Sequence, residues 1–238
     1  MSLDGQHVVI LGGTSGIGYA VARASAAQGA QVTVVSSRQA NVDKAVAELP
    51  AGAGGVVADL TDADRIRAVF DELAAIDHLV YTAGEPLLLS PLADLDVDAA
   101  RKFFELRYFS VLAAVQSAVP HLRADGSITL TTGTAGPRPV PGSSVTSSVC
   151  GAVEALTRAL AVELAPIRVN AVMPGVVRSP LWNFPEDLRE QFYADTAANT
   201  PLRRIADTDD IAQAFVFFLT QPHATATILP LDGGAVLA

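Results

Sequence analysis

The chain has 238 residues, half of them hydrophobic and 17% charged, with a formal charge of −9. That length suits one large parallel α/β unit, and the acidic balance, with 16 basic residues scattered along the chain, argues against a nucleic-acid surface or a polybasic membrane anchor. No run of consecutive apolar residues reaches the roughly 18 that span a bilayer, and Met1-Ser2-Leu3-Asp4-Gly5 lacks the basic flank of a signal peptide, so the expectation is a cytoplasmic protein that takes a small-molecule substrate. The lone Cys150 rules out an internal disulfide, and His7, His78, His121 and His223 are too dispersed to predict a metal site.

In chain order, short β-branched runs alternate with segments of helical spacing. A strand over His7–Leu11 precedes a helix over Ile17–Gln28, then a strand at Gln31–Ser36 and a helix at Val42–Leu49. The pattern continues with a strand at Gly54–Ala58, a helix at Asp62–Leu73, a strand at His78–Tyr81 and a long helix over Ala99–Leu122. It closes with Ser127–Thr131, Ser144–Ala165, Arg168–Met173, Asp209–Leu219 and Thr227–Leu231, strand and helix in turn. Strict alternation predicts a parallel sheet covered on both faces within one unit spanning 1–238. Gly133–Gly142 and Met173–Pro185 read as loops after strands, where Arg138, Trp182 and Phe184 interrupt a small, apolar texture. Ligands of open parallel sheets sit beyond the strands' carboxyl ends, so these loops are candidate substrate walls, with a lid around 174–200 that also holds Phe192 and Tyr193.

The first strand runs into Gly12-Gly13-Thr14-Ser15-Gly16-Ile17-Gly18. Gly12 permits a tight turn, Gly16 lets backbone approach a diphosphate at the helix N-terminus, and Gly18 lets helix pack on sheet. Gly12, Thr14, Ser15, Gly16, Ile17 and Gly18 are therefore the candidate diphosphate cradle. After the second strand, Ser36-Ser37-Arg38 stands where an NAD site offers an acid to the ribose hydroxyls. A guanidinium beside hydroxyls suits a ribose 2′-phosphate, which makes Ser37 and Arg38 candidates for binding NADPH in preference to NADH. Asp59-Leu60 fits either an adenine contact or a turn or helix cap. The small Thr82-Ala83-Gly84 lets a cofactor lie close to backbone at Ala83 and Gly84, and packing explains it equally.

These segments, with Pro174-Gly175 and Leu231-Asp232-Gly233-Gly234, resemble the short-chain dehydrogenase/reductase family over essentially the whole chain. The most specific stretch is Ala152-Val153-Glu154-Ala155-Leu156-Thr157-Arg158-Ala159-Leu160-Ala161-Val162-Glu163-Leu164, followed by Ile167-Arg168-Val169-Asn170-Ala171-Val172-Met173-Pro174-Gly175. The resemblance implies a Rossmann-type doubly wound domain with a mostly parallel seven-stranded sheet. It adds Pro174, Gly175, Val177 and Ser179 to the cofactor set, Ser179 offering a hydroxyl to the nicotinamide amide. It also implies a homotetramer built on the long helices that hold Arg107 and Cys150.

The family's chemistry uses an Asn, a Ser, and a Tyr and Lys four apart on one helix. The matching positions here are Arg107, Gly133, Thr146 and Cys150, and no lysine follows Lys102. The family tyrosine handles the proton while the lysine lowers its pKa. Thr146 is far too weak an acid to replace it and is a candidate only as a neutral hydrogen-bonding group, together with Ser147 and Ser148. Cys150 has no adjacent Lys or His to make a thiolate and reads as a small buried residue. Arg107, in Phe103-Phe104-Glu105-Leu106-Arg107-Tyr108-Phe109, needs a partner on a helix expected to be buried: a substrate anion, charge developing in the reaction, or a carboxylate such as Glu105. Two functions fit: an atypical NADPH-dependent reductase acting on an iminium or activated carbonyl, or an NADP-binding pseudoenzyme. A cyclisation or isomerisation steered by bound cofactor is a third.

Overall fold

A computed structural model describes residues 2–238. The elements in chain order are β1 (His7–Leu11), α1 (Gly16–Ala26), β2 (Gln31–Ser36), α2 (Gln39–Glu48), β3 (Gly54–Val57), α3 (Ala63–Asp71) and β4 (Ile76–Tyr81). There follow α4 (Val97–Phe104), α5 (Ser110–Ala118), β5 (Leu122–Thr131), α6 (Ser144–Glu163) and β6 (Arg168–Pro174). The chain ends with β7 (Val177–Arg178), α7 (Glu186–Asn199), β8 (Ala206–Asp207), α8 (Thr208–Thr220) and β9 (Ile228–Leu231). Seven strands form one parallel sheet in the order β3-β2-β1-β4-β5-β6-β9, the doubly wound arrangement. The order reverses between β1 and β4, which opens a crevice at their carboxyl ends.

β1 is buried along its whole length because both faces of the sheet are covered. Val9 and Leu11 join the core under α3, α5 and α6, while Val8 and Ile10 join the core under α1, α2 and α8. Phe70, Phe215 and Phe218 are fully buried between helix and sheet, each worth about 2–3 kcal/mol of transfer free energy. Helix starts follow local chemistry: Asp62 accepts from the Asp64 and Arg65 amides at α3, and Asp207 forms a capping box with Asp210 at α8.

Several boundaries differ from the sequence reading. β5 begins at Leu122, five residues before the apolar run, because Arg123, Ala124 and Asp125 are exposed and carry no hydrophobic signal. The long helix predicted over Ala99–Leu122 is broken into α4, a π-helical turn at Glu105–Phe109, α5 and a 3₁₀ turn at Val119–His121. α7 lies inside the predicted loop-and-lid region and is polar nearly all round, with Tyr193 its one fully buried residue, so it shows no periodicity. The two-residue parallel pairing of β7 with β8 is likewise too short to read. By length and composition α6 is apolar enough to cross a membrane. Its apolar stripe, Val145, Val149, Val153, Leu156 and Leu160, is instead packed on the sheet.

Candidate active site

A cleft of about 690 Å³ runs across the carboxyl ends of the central strands. One end is the glycine turn. Gly12 has φ +85°, donates its amide to the Val35 carbonyl at 2.9 Å, and a Cβ there would lie 2.6 Å from the Ala83 nitrogen. A Cβ on Gly18 would lie 2.3 Å from the Gly12 carbonyl oxygen. Ser15 precedes α1 in extended conformation, and its side chain makes no capping bond to the first-turn amides. A cradle that side chains would fill, at a helix start that no side chain caps, fits a diphosphate.

Every residue of the sequence-predicted cofactor set lines this cleft: Gly12, Thr14 to Gly18, Ser37, Arg38, Asp59, Leu60, Ala83, Gly84, Pro174, Gly175, Val177 and Ser179. Arg38 is exposed, and with its amide oxygen turned inward Asn41 accepts from Arg38 Nε and Nη2 at 3.2 and 3.1 Å. Asp59 accepts from the backbone amide and the hydroxyl of Thr61 at 3.0 and 2.8 Å, and these bonds hold its carboxyl below the ordinary range. Its side chain thus shapes the turn after β3, while the cap of α3 is Asp62. Thr82 donates to the Leu11 carbonyl at 3.1 Å and ties β4 to β1 at the switch point.

The four positions matched to the family's catalytic groups, Arg107, Gly133, Thr146 and Cys150, all border the other end of the cleft. Arg107 sits in the π turn, a distortion that recurs at functional sites. Its carboxylate neighbour is Glu85 and not Glu105, which is exposed together with Phe109 on the outer side of the turn. Arg107 Nη2 donates to the Glu85 carbonyl, Nε lies 3.6 Å from Glu85 Oε2, and the guanidinium stacks 4.7 Å from the Phe103 ring centroid. Burial lowers Arg107's proton affinity and pushes Glu85 above the usual carboxylate range; each one's charge opposes the other's shift.

Thr146 is 3% exposed and donates to the Leu88 carbonyl at 2.8 Å, tying α6 to the loop after β4. Ser147 bonds Ser143, and exposed Ser148 bonds its own helix at Ser144, so neither borders the cleft; Ser143 does. Burial raises Cys150's pKa, against the partial relief of a bond to Thr132, so it remains a thiol. The one tyrosine at the cleft, Tyr81, is buried and donates to the Leu106 carbonyl at 2.6 Å, and burial raises its pKa further. No lysine or histidine borders the cleft among the described residues.

Leu87, Leu89, Val140, Leu181, Trp182 and Phe192 form an apolar wall over this end. Trp182 packs against Phe192 with ring centroids 4.7 Å apart and planes tilted by 49°, and it donates its indole N–H to the Val177 carbonyl at 3.0 Å. Phe184 packs on both rings from the solvent side, whereas Tyr193 is buried beneath Arg178 and takes no part in the wall. Arg138 borders the cleft and donates to the Ala235 carbonyl, which joins the loop after β5 to the C-terminal turn. Asn41, Glu85 and Ser143 escape a motif-based reading; an acid directly after the small residues that follow β4 was the available signal for Glu85.

Comparison with known proteins agrees with this geometry. Residues 12–236 match the family model described as enoyl-(acyl carrier protein) reductase. A short-chain dehydrogenase/reductase of Stachybotrys chlorohalonatus is 34% identical, covering 99% of both chains. The structure of the MalC reductase/Diels–Alderase from Malbranchea aurantiaca superposes with a TM-score of 0.92 at 29% identity, covering 99% of this chain and 98% of that one. A small-chain dehydrogenase solved in complex with NADPH superposes with a TM-score of 0.87 at 30% identity, covering 99% and 100%. With its doubly wound sheet, its glycine cradle at the switch point and relatedness over its full length, the chain belongs to the short-chain dehydrogenase/reductase family.

Proposed function

We propose that the chain is an NADPH-dependent reductase that delivers hydride to an iminium or an activated carbonyl compound without a tyrosine acid. The observation that carries this reading is the make-up of one continuous cleft: a phosphate cradle and Arg38 at one end, and Arg107 with no free phenol, lysine or histidine at the other. NADPH, when bound, supplies the hydride. The chain's part is to orient, to exclude water and to stabilise charge.

The α1 N-terminus and Gly12 to Gly18 hold the diphosphate, Ser37 and Arg38 hold the 2′-phosphate, and Asn41 fixes the direction of the guanidinium. Pro174, Gly175, Val177 and Ser179 support the nicotinamide end. Hydride addition to an iminium carbon yields a neutral amine and requires no proton, so the lack of an acid is tolerated. On a carbonyl carbon it leaves an alkoxide, which Arg107 stabilises while water supplies the proton. The wall of Trp182, Phe192 and Leu181 shields the reacting end and favours a bulky apolar acceptor. Thr146 acts by holding the Leu88 loop against α6. A relative named as a reductase/Diels–Alderase supports a second reading, in which the same apolar wall folds a product for cyclisation. We further take assembly to be a homotetramer through the exposed apolar surface at Phe109, Leu112 and Val162.

The test is calorimetry with NADPH and NADH on the wild type and Arg38→Ala, followed by NADPH oxidation across a panel of cyclic imines and ketones. Loss of one charge-assisted phosphate contact is worth about 1.5–3 kcal/mol, so NADPH should bind roughly 10- to 100-fold more weakly to the variant, with NADH unchanged. Binding without turnover of any acceptor would point to the pseudoenzyme. Failure to bind either nucleotide would end the reductase reading.

A further inference from the structure

Glu85 lies between two cleft-lining residues, Gly84 and Pro86, at the carboxyl end of β4. Both halves of the residue meet Arg107: the backbone carbonyl accepts from Nη2, and Oε2 stands 3.6 Å from Nε. Oε2 and Nε are each shielded from solvent and neither makes a hydrogen bond. They are held as an ion pair by charge alone, at a separation that leaves donor and acceptor capacity unused. The remaining ionisable groups around the pair are Tyr81 of β4, whose hydroxyl is committed to Leu106, and Cys150 of α6. Behind Cys150 lies Glu154, with Oε1 buried and unpartnered and Oε2 3.9 Å from Arg158.

Arg107 keeps its proton at any working pH. The charge of the pair is therefore decided by Glu85. We propose that Glu85 is a specificity-determining residue: ionised, it neutralises Arg107 and the site accepts a cationic iminium; protonated, it releases the guanidinium's charge to an anionic acceptor such as a carboxylate-bearing carbonyl compound. The inference rests on the reading that an acceptor reacts beside Arg107, and it names the charge class of that acceptor. Burial favours the protonated form of Glu85 and the Arg107 charge opposes it, so the carboxyl sits above the ordinary carboxylate range. Tyr81 and Cys150 are pushed upward as well, so neither takes on a charge as Glu85 titrates.

The test uses two probes of similar size and opposite charge, benzoate and benzyltrimethylammonium, titrated calorimetrically into NADP⁺-saturated protein between pH 5 and 8. Wild type, Glu85→Gln and Glu85→Asp are compared. In the wild type the benzoate Kd should rise with pH by up to about tenfold per unit through the carboxyl titration, the limit for one linked proton, and the cation should show the opposite trend. Glu85→Gln should bind benzoate tightly with no pH slope, and Glu85→Asp should keep the slope. A flat wild-type profile, no benzoate binding at any pH, or a slope that survives Glu85→Gln would each overturn the proposal. If the Gln variant does not fold, the wild-type and Asp series decide. NADP⁺ affinity, measured beforehand, reports separately on the cofactor reading: if NADP⁺ fails to bind, the probes are titrated into the free protein, and a Glu85-dependent slope there preserves this inference while the reductase proposal falls.

Discussion

Gly84→Ala separates the position of Arg107 from the integrity of the fold. A Cβ at this site would lie 2.7, 2.8 and 2.9 Å from Arg107 Nη2, Cζ and Nη1, so the guanidinium must retreat by at least about half an ångström to reach ordinary contact. Gly84 has no positive φ, so alanine fits the backbone. Loss of the charged bond from Nη2 to the Glu85 carbonyl costs about 1.5–3 kcal/mol, and the stiffer unfolded chain returns about 0.4–1. The variant should therefore be less stable by roughly 0.5–2.5 kcal/mol in urea unfolding. At saturating NADPH its kcat/KM for the best acceptor should fall about 10- to 100-fold, less than the roughly 10²- to 10³-fold that outright removal of one stabilising donor costs, because the guanidinium is displaced and not lost. The deciding assay is the double-mutant cycle with Arg107→Ala. If the effect runs through the guanidinium, Gly84→Ala should add almost nothing in the Arg107→Ala background. An equal loss in both backgrounds would refute the reasoning and assign the effect to the cofactor's own approach at Gly84.

Gly18→Ala is the opposite case, because its Cβ would meet the Gly12 carbonyl at 2.3 Å and Thr82 Oγ1 at 2.4 Å, and the backbone of the turn has nowhere to go. Overpacking of about 1–3 kcal/mol and a loss of NADPH affinity beyond tenfold are expected by urea unfolding and calorimetry; wild-type behaviour in both would defeat the close-packing account. Trp182→Ala removes the ring packed against Phe192 and should raise KM for bulky acceptors while leaving NADPH affinity within about twofold, read from steady-state kinetics. His78 is buried on β4 between Ser127 Oγ at 2.8 Å and Gln6 Oε1 at 3.1 Å, and burial, aided by Arg168, lowers its pKa to about 4. The unfolded chain protonates this imidazole near pH 6.5 and the folded chain does not. Stability is thus present above that pH and lost as pH falls toward 4, by about 2.5 kcal/mol at pH 4.5. His78→Gln should show a correspondingly smaller drop between pH 7 and 4.5, and an equal drop would place the acid sensitivity elsewhere.

The glycine-turn half of the cleft was legible because backbone shapes it. Gly12, Gly16 and Gly18 occupy fixed places in a strand, turn and helix, and their spacing alone carries the geometry. The sheet was legible for a related reason: strands covered on both faces are buried along their length, so β1 reads as an apolar run from Val8 to Leu11, while β6 keeps its apolar run around the buried Arg168 and Asn170. Where burial weakens, so does the signal. α7 exposes most of its surface, and β5 starts in exposed residues before its apolar half begins. The π turn inserts no marker residue, since its effect is on the register of Arg107 and not on composition.

The Arg107 end of the cleft was legible only in what it lacks. Spacing along α6 brings Thr146 and Cys150 to the cleft while Ser147 and Ser148 turn away, but whether a hydroxyl is free depends on a carbonyl 58 residues distant, that of Leu88. The partner of Arg107 posed the same difficulty. Glu105 is its neighbour in sequence, yet the turn projects Glu105 outward and the chain supplies Glu85 from the end of another strand. A buried guanidinium must be compensated, and the nearest carboxylate in space is found only once the strand order is known. A tyrosine–lysine pair manages a proton, whereas an arginine–glutamate pair manages net charge. On the proposed reading, the replacement would move selection of the acceptor from whether it needs a proton to what charge it carries into the cleft.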